Sequence, residues 1–172
     1  MRNKKVFFVT QAAVIAALYV VLTLLANALG LANGAVQVRF SEALTVLPFL
    51  TPAAIPGLTV GCILANLLTG AAALDIAFGP LATFIGALGT YLIGRTSVKW
   101  FKWLSPLPPI IANTLIVPWV LVTAYEVSDA YWFLMLTVGA GEVISCGMLG
   151  LVLLHALKGS RAVIFNGGLQ GR

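Results

Sequence analysis

The chain has 172 residues, of which 60% are hydrophobic and only 9% are charged, and its net charge is +5. This apolar share exceeds that of soluble domains and is typical of integral membrane proteins. Because one span needs about 20 residues, roughly five or six spans would use nearly the whole chain, so any ATP hydrolysis would have to come from another protein.

The basic residues lie in short clusters between apolar runs, as the positive-inside rule requires. This distribution favours a membrane protein over a nucleic-acid-binding protein, so nucleic acid is not expected as a partner. The sequence contains neither a GxxxxGK[ST] phosphate loop nor an HExxH motif.

The hydrophobic pattern predicts an all-α membrane protein with six transmembrane helices in a single domain over residues 1–172. The bundle is expected over about 6–157, with a flexible tail over 158–172. A polar-leaning connection over about 30–40 follows the first helix. The predicted helices cover about 6–29, from Ser41 to Pro48 or Pro52, and about 56–69, 79–94, 108–125 and 131–157. The first apolar run exceeds the 7–15 residues of a signal-peptide core, which favours a retained helix.

An even number of helices predicts that both termini lie on the same, cytoplasmic side of the membrane. Arg39 is then the one basic residue on the outer side. The nine others fall on the cytoplasmic side: Arg2, Lys4, Lys5, Arg95, Lys99, Lys102, Lys158, Arg161 and Arg172.

Glu142 is the residue that is most costly to bury, since it lies in the middle of the sixth predicted helix. It is expected to face the protein interior, either as a ligand contact or hydrogen-bonded to a neighbouring helix. The same two alternatives hold for Asn66 in the third helix. For Asn113 the structural alternative is favoured, and Asp75 is expected to cap the fourth helix or to be solvated.

Residues 37–45 read QVRFSEALT and bring a cation and an anion, Arg39 and Glu42, between two apolar runs. One interpretation is a surface ion pair of little energetic value. The other is that this stretch forms the lid and rim of a pocket whose floor carries Glu142.

Aromatic residues gather at the outer ends of the fifth and sixth helices, either as an interfacial belt or as a stacking wall for a flat ligand. They are Trp119, Tyr125, Tyr131 and Trp132. The row Tyr19, Thr23 and Asn27 on the first helix could line the mouth of a cavity or anchor the helix at the interface.

The first helix also carries a stripe of small residues, which allows another helix to approach closely. The stripe consists of Ala12, Ala13, Ala16 and Ala17. Its partner helix lies either in this chain or in another protein.

The residues do not indicate an enzyme or a metal protein. His155 is the only histidine, and no nucleophile–base pair is apparent. Cys62 and Cys146 lack metal-ligand spacing, so neither a metal nor a cofactor is expected.

The alanine stripe AAVIAAL (12–18) and the segment VQVRFSEALTVLPFLTPAAIPGLTVGCILAN (36–66) resemble the QueT family. These are the proposed queuosine-precursor-binding subunits of energy-coupling factor (ECF) transporters. The resemblance implies a substrate-binding S component in a prokaryotic plasma membrane. Its partners would be a transmembrane coupling subunit and two cytoplasmic ATPase subunits.

The resemblance also implies roles for particular residues. Ala12 and Ala16, or Ala13 and Ala17, would contact the coupling subunit, and the connection over about 30–40 would cover the substrate. A queuosine precursor is a flat 7-deazaguanine base whose donors suit a carboxylate and whose carbonyl suits an amide or a guanidinium. The expected contacts are therefore Glu142, Asn66, Arg39, Glu42, Trp119 and Tyr125.

Two alternatives stay open at this point. The chain could be an S component for another vitamin or heterocycle, or a stand-alone secondary transporter. The lack of an obvious internal repeat counts against the second alternative.

Overall fold

The computed structural model describes residues 3–31, 37–96 and 99–159. All regular secondary structure in these ranges is helical, which agrees with the predicted all-α class. The α-helices are α1 (Lys4–Ala28), α2 (Ala54–Leu68), α3 (Ala73–Gly94), α4 (Leu107–Ala124), α5 (Tyr131–Glu142) and α6 (Gly150–Lys158). Two 3-10 helices cover Phe40–Phe49 and Lys99–Leu104, and a π-helix covers Val143–Leu149. Most of the predicted tail, 160–172, lies outside the described residues.

Four helical runs are long and apolar enough to cross a membrane. They are Lys4–Ala28, Ala73–Gly94, Lys102–Ala124 and Tyr131–Leu157. The two other apolar helices, Phe40–Phe49 and Ala54–Leu68, are shorter, as the sequence predicted for the second helix. The chain is therefore a helical membrane protein, and its predicted helices agree closely with the observed ones except at the start of α3.

The helix α3 begins at Ala73, six residues before its predicted start at Gly79. Gly79 and Pro80 resemble a helix-breaking pair, yet both lie inside α3. Pro80 lacks the N–H that would donate to the Ile76 carbonyl, so α3 has one internal hydrogen bond fewer there. The early start brings Asp75 onto the first turn of the helix.

Close packing of α1 on α2 depends on two glycines spaced four residues apart on α2. A Cβ at Gly57 would lie 2.7 Å from the carbonyl oxygen of Ala12, and a Cβ at Gly61 would lie 3.0 Å from that of Ala16. Glycine at both positions lets the two backbones touch.

This packing divides the alanine stripe into two faces. Ala16 is buried and Ala12 is half-buried against α2, whereas Ala13 and Ala17 are exposed. The internal partner helix of the stripe is therefore α2, and it uses only one of the two faces.

The short 3-10 helix Phe40–Phe49 occupies the centre of the bundle. It packs against α1, α3, α6 and the π-helix, and seven of its ten residues are buried. Ser41, the predicted first residue of this helix, lies in its first turn, and its Oγ has no hydrogen-bond partner among the described residues. The helix is a core element, so Glu42 lies in the interior and not at a surface rim.

The last three helical segments form one continuous run, as predicted for 131–157. Two glycines fit this run against the rest of the bundle. A Cβ at Gly141 would lie 2.1 Å from the carbonyl oxygen of Gln37, and one at Gly150 would lie 2.8 Å from Cγ1 of Val46. The segment 37–39 therefore packs closely against the backbone at Gly141.

Candidate functional site

A cavity of about 420 Å³ lies at the end of the bundle where α1, α2 and α4 end and α3 begins. Its lining is unusually polar for an apolar chain. The polar lining includes Thr23, Asn27, Gln37, Arg39, Asn66 and Asp75, and Tyr125 also forms part of the wall. The volume falls in the range of about 300–1,000 Å³ that is typical of small-molecule sites.

Arg39 enters the cavity from the extended segment before the 3-10 helix. Its backbone N–H donates to Ser145 Oγ at 3.1 Å, and this hydrogen bond joins the segment to the last helical run. Its guanidinium donates to Gln37 Oε1 at 3.2 Å and not to Glu42, so the predicted surface ion pair does not form.

Arg39 remains a cation in this setting. Burial on its own would lower its pKa, but nearby negative charge, that of Asp75 first, raises the pKa above its ordinary value. The cavity therefore contains a permanent positive charge.

Asp75 faces the cavity from the first turn of α3 and is only 8% exposed, so the expectation of a capping or solvated residue is wrong. Its Oδ2 accepts a hydrogen bond from the Tyr125 hydroxyl at 3.2 Å. Its backbone carbonyl accepts one from Asn66 Nδ2 at 2.9 Å. Among the described residues, the Asp75 carboxylate forms no ion pair.

Tyr125 links α3 to the end of α4. Its hydroxyl accepts a hydrogen bond from the Ala72 N–H at 3.0 Å while it donates to Asp75. Burial and the neighbouring Asp75 charge raise the pKa of Tyr125 above its ordinary value. The phenol therefore keeps its proton and acts as a donor to the carboxylate.

Glu42 and Glu142 meet in a second polar group, which we call the carboxyl cluster and define as Glu42, Glu142 and Cys146. Their ligating atoms lie within 4.8 Å of one another, and all three residues are buried. Cys146 Sγ donates to Glu142 Oε2 at 3.0 Å, so Glu142 faces the interior with a partner, as predicted.

Three further side chains complete the hydrogen bonding of the cluster. The Tyr19 hydroxyl donates to Glu42 Oε1, and Asn113 Nδ2 donates to Glu42 Oε2 at 3.4 Å. Thr45 Oγ1 lies 3.3 Å from Cys146 Sγ. A carboxylate–thiol group of this size could hold a metal ion, but these internal hydrogen bonds account for its geometry without one.

The structure thus divides the expected contact residues among three places. Arg39, Asn66 and Tyr125 line the cavity, whereas Glu42 and Glu142 form the carboxyl cluster and are not part of the cavity lining. Trp119 is 41% exposed and packs edge-on against Phe78, with ring centroids 4.8 Å apart.

The structure also separates the polar residues of the first helix. Thr23 and Asn27 line the cavity, as the cavity-mouth interpretation of their row predicted, whereas the Tyr19 hydroxyl donates to Glu42 of the carboxyl cluster. Asp75 and Gln37 also line the cavity, although neither was among the expected contact residues.

Comparisons with known proteins agree with the resemblance. A family model described as QueT transporter matches residues 9–159. The Queuosine precursor transporter QueT of Lactococcus lactis subsp. cremoris (strain MG1363) is 31% identical over 102 residues, which are 59% of this chain and 60% of the relative. The match therefore spans less than two thirds of that relative. No solved structure shows significant similarity to the chain.

Proposed function

Because the chain belongs to the QueT transporter family, we propose that it is the substrate-binding S component of an ECF transporter that captures a queuosine precursor from outside the cell. The family is one of transporters and not of enzymes. The cavity lined by Arg39, Asn66 and Asp75 is the observation that carries the proposal. A charged, small-molecule-sized cavity is otherwise costly inside an apolar bundle.

The proposed substrate is a 7-deazaguanine base, and the cavity residues match its edges. The Arg39 guanidinium and the Asn66 amide can donate to its carbonyl, and Tyr125 can pack beside the ring. Glu42 and Glu142 belong to the carboxyl cluster and not to the cavity lining, so they are not part of the proposed contact set. Trp119 fits the aromatic belt better than the contact set.

The proposed orientation has six membrane crossings and both termini in the cytoplasm of a prokaryotic cell. The nine clustered basic residues support this orientation. A membrane-impermeant maleimide applied to intact cells should label Asp129→Cys and leave Arg95→Cys unlabelled. Labelling of both positions, or of Arg95→Cys alone, would contradict the orientation.

The proposed partners are a transmembrane coupling subunit and two ATPase subunits, with Ala13 and Ala17 as the contact. These two alanines are exposed, whereas Ala12 and Ala16 pack on α2. In a co-expressed complex, Ala17→Trp should abolish copurification of the coupling subunit and leave ligand binding unchanged. Ala16→Trp serves as the matched variant and should instead lower the stability of the isolated chain. Normal assembly of the Ala17→Trp protein would contradict the interface.

Native mass spectrometry of the purified protein tests the substrate. We expect a copurified or added deazapurine to be retained by the intact protein. Retention of another vitamin would keep the architecture and overturn the substrate. Uptake into liposomes driven by an ion gradient, without ATPases, would overturn the S-component proposal in favour of a secondary transporter.

A further inference from the structure

We propose that the Asp75 carboxylate accepts hydrogen bonds from the ring N–H and the exocyclic amine of the base, and that Tyr125 positions this carboxylate. This inference rests on the proposed function and names a specificity-determining residue for it. Asp75 lines the cavity, whereas Glu42 and Glu142 do not.

The three buried carboxylates differ in where their hydrogen-bond donors lie. Glu42 accepts from Tyr19 and Asn113, and Glu142 accepts from Cys146; none of these residues lines the cavity. Asp75 Oδ2 accepts only from Tyr125 among the described residues. A buried carboxylate that lines a cavity and still has accepting capacity is suited to donors that a ligand brings.

The charged residues of the cavity indicate which polar groups the ligand carries. Arg39 and Asp75 line the same cavity, but the Arg39 guanidinium donates to Gln37 and not to the Asp75 carboxylate. A guanine-like base presents a carbonyl, a ring N–H and an exocyclic amine side by side along one edge. Arg39 can donate to the carbonyl while Asp75 accepts from the N–H and the amine, so one edge satisfies both charges.

Three contacts fix the direction of the Asp75 side chain. Asn66 holds the first turn of α3 through the Asp75 carbonyl, and the Tyr125 hydroxyl orients the carboxylate. Gly79 leaves the space, since a Cβ there would lie 2.9 Å from Asn66 Nδ2 and 3.1 Å from Asp75 Oδ1. Asn66 and Tyr125 are therefore positioning residues for Asp75.

The test compares two ligands across matched variants of the full chain in detergent by calorimetric titration. The ligands are 7-aminomethyl-7-deazaguanine and its analogue without the 2-amino group. We expect wild type to prefer the first by about 10- to 100-fold, because the analogue leaves a charged acceptor unpaired. Asp75→Asn should bind the first ligand at least about 10-fold more weakly and prefer it by less than about 3-fold, since the amide opposes a donor with a donor. Glu142→Gln is the control and should keep the wild-type preference.

Tyr125→Phe provides a second reading that keeps the carboxylate. The substitution should weaken binding of the first ligand about 3- to 10-fold and binding of the analogue by less. The preference for the first ligand over the analogue should therefore become smaller. A wild-type preference retained in Asp75→Asn, or in Tyr125→Phe if the first variant does not fold, would overturn the role of Asp75 and leave the proposed function standing. Failure of wild type to bind either base would overturn both.

Discussion

The cavity and the carboxyl cluster are two polar regions within one apolar bundle, and they differ in where their hydrogen bonds go. In the cluster, α1, α4 and the π-helix supply the partners: Tyr19 and Asn113 donate to Glu42, and Cys146 donates to Glu142. In the cavity, Arg39 donates to Gln37, and the Asp75 carboxylate accepts only from Tyr125 among the described residues. Buried acids whose donors lie away from the cavity stabilise the contacts between helices, whereas a buried acid that lines the cavity is available to a ligand.

The largest expected effect is on stability and comes from Glu42→Ala in the cluster. The substitution leaves the Tyr19 hydroxyl and the Asn113 amide without their buried acceptor, at about 1–3 kcal/mol each. Thermal unfolding in detergent should show the loss, and ligand affinity of the folded fraction should stay within about 3-fold of wild type. Glu42→Gln keeps an acceptor and should cost less. Equal stability of Glu42→Ala and wild type would mean that the cluster does not hold the bundle.

Gly141→Ala should affect both regions, because its Cβ would lie 2.1 Å from the carbonyl oxygen of Gln37. The segment 37–39 must then move away from the last helical run, taking Arg39 out of the cavity. We expect a stability loss of about 1–3 kcal/mol, as for overpacking, together with loss of measurable ligand binding. Gly147→Ala is the control, since its Cβ would make only ordinary contacts at 3.8 Å and beyond. Normal binding by Gly141→Ala would show that the position of Arg39 is unimportant.

Gly79→Ala should act on the cavity alone. Its Cβ would crowd Asn66 Nδ2 and Asp75 Oδ1, so the carboxylate must turn. A ligand titration should show a loss of about 10-fold, which corresponds to about 1.4 kcal/mol. The unfolding temperature should change little, because alanine has the higher helix propensity. An unchanged affinity would contradict the positioning of Asp75 by this glycine.

The smallest effect is expected for Thr45→Val in the cluster. The hydroxyl donates to the Glu42 carbonyl at 2.6 Å and lies 3.3 Å from Cys146 Sγ. Its removal should lower the free energy of unfolding by about 1 kcal/mol and leave ligand affinity unchanged. A loss of affinity larger than the loss of stability would connect the cluster to the cavity and weaken the distinction between them.

Much of the fold could be predicted from hydrophobic run length, because a membrane span imposes length and composition together. The start of α3 could not, since Gly79 and Pro80 resemble a helix break, and only packing decides that the helix extends upstream to Ala73. The GxxxG spacing of Gly57 and Gly61 was present in the sequence and could have identified the partner of Ala12 and Ala16.

Part of the site could be predicted, because polar residues in apolar surroundings are recognisable in the sequence. Arg39, Asn66 and Tyr125 line the cavity as polar residues in apolar surroundings suggested. Glu42 and Glu142 are also polar residues in apolar surroundings, yet they lie together inside the bundle, where other side chains of the chain donate hydrogen bonds to them. A costly residue type predicts that a partner exists, but only tertiary structure tells whether the partner is a helix or a ligand.

The most direct test of the central claim is a side-by-side titration of Asp75→Asn and Glu142→Gln with 7-aminomethyl-7-deazaguanine. Both substitutions replace one buried carboxylate by an amide of the same size, so they differ only in which polar region they change. We predict at least about 10-fold weaker binding for Asp75→Asn and a change within about 3-fold for Glu142→Gln. The reverse pattern, with Glu142→Gln impaired and Asp75→Asn normal, would contradict the assignment of the ligand to the cavity.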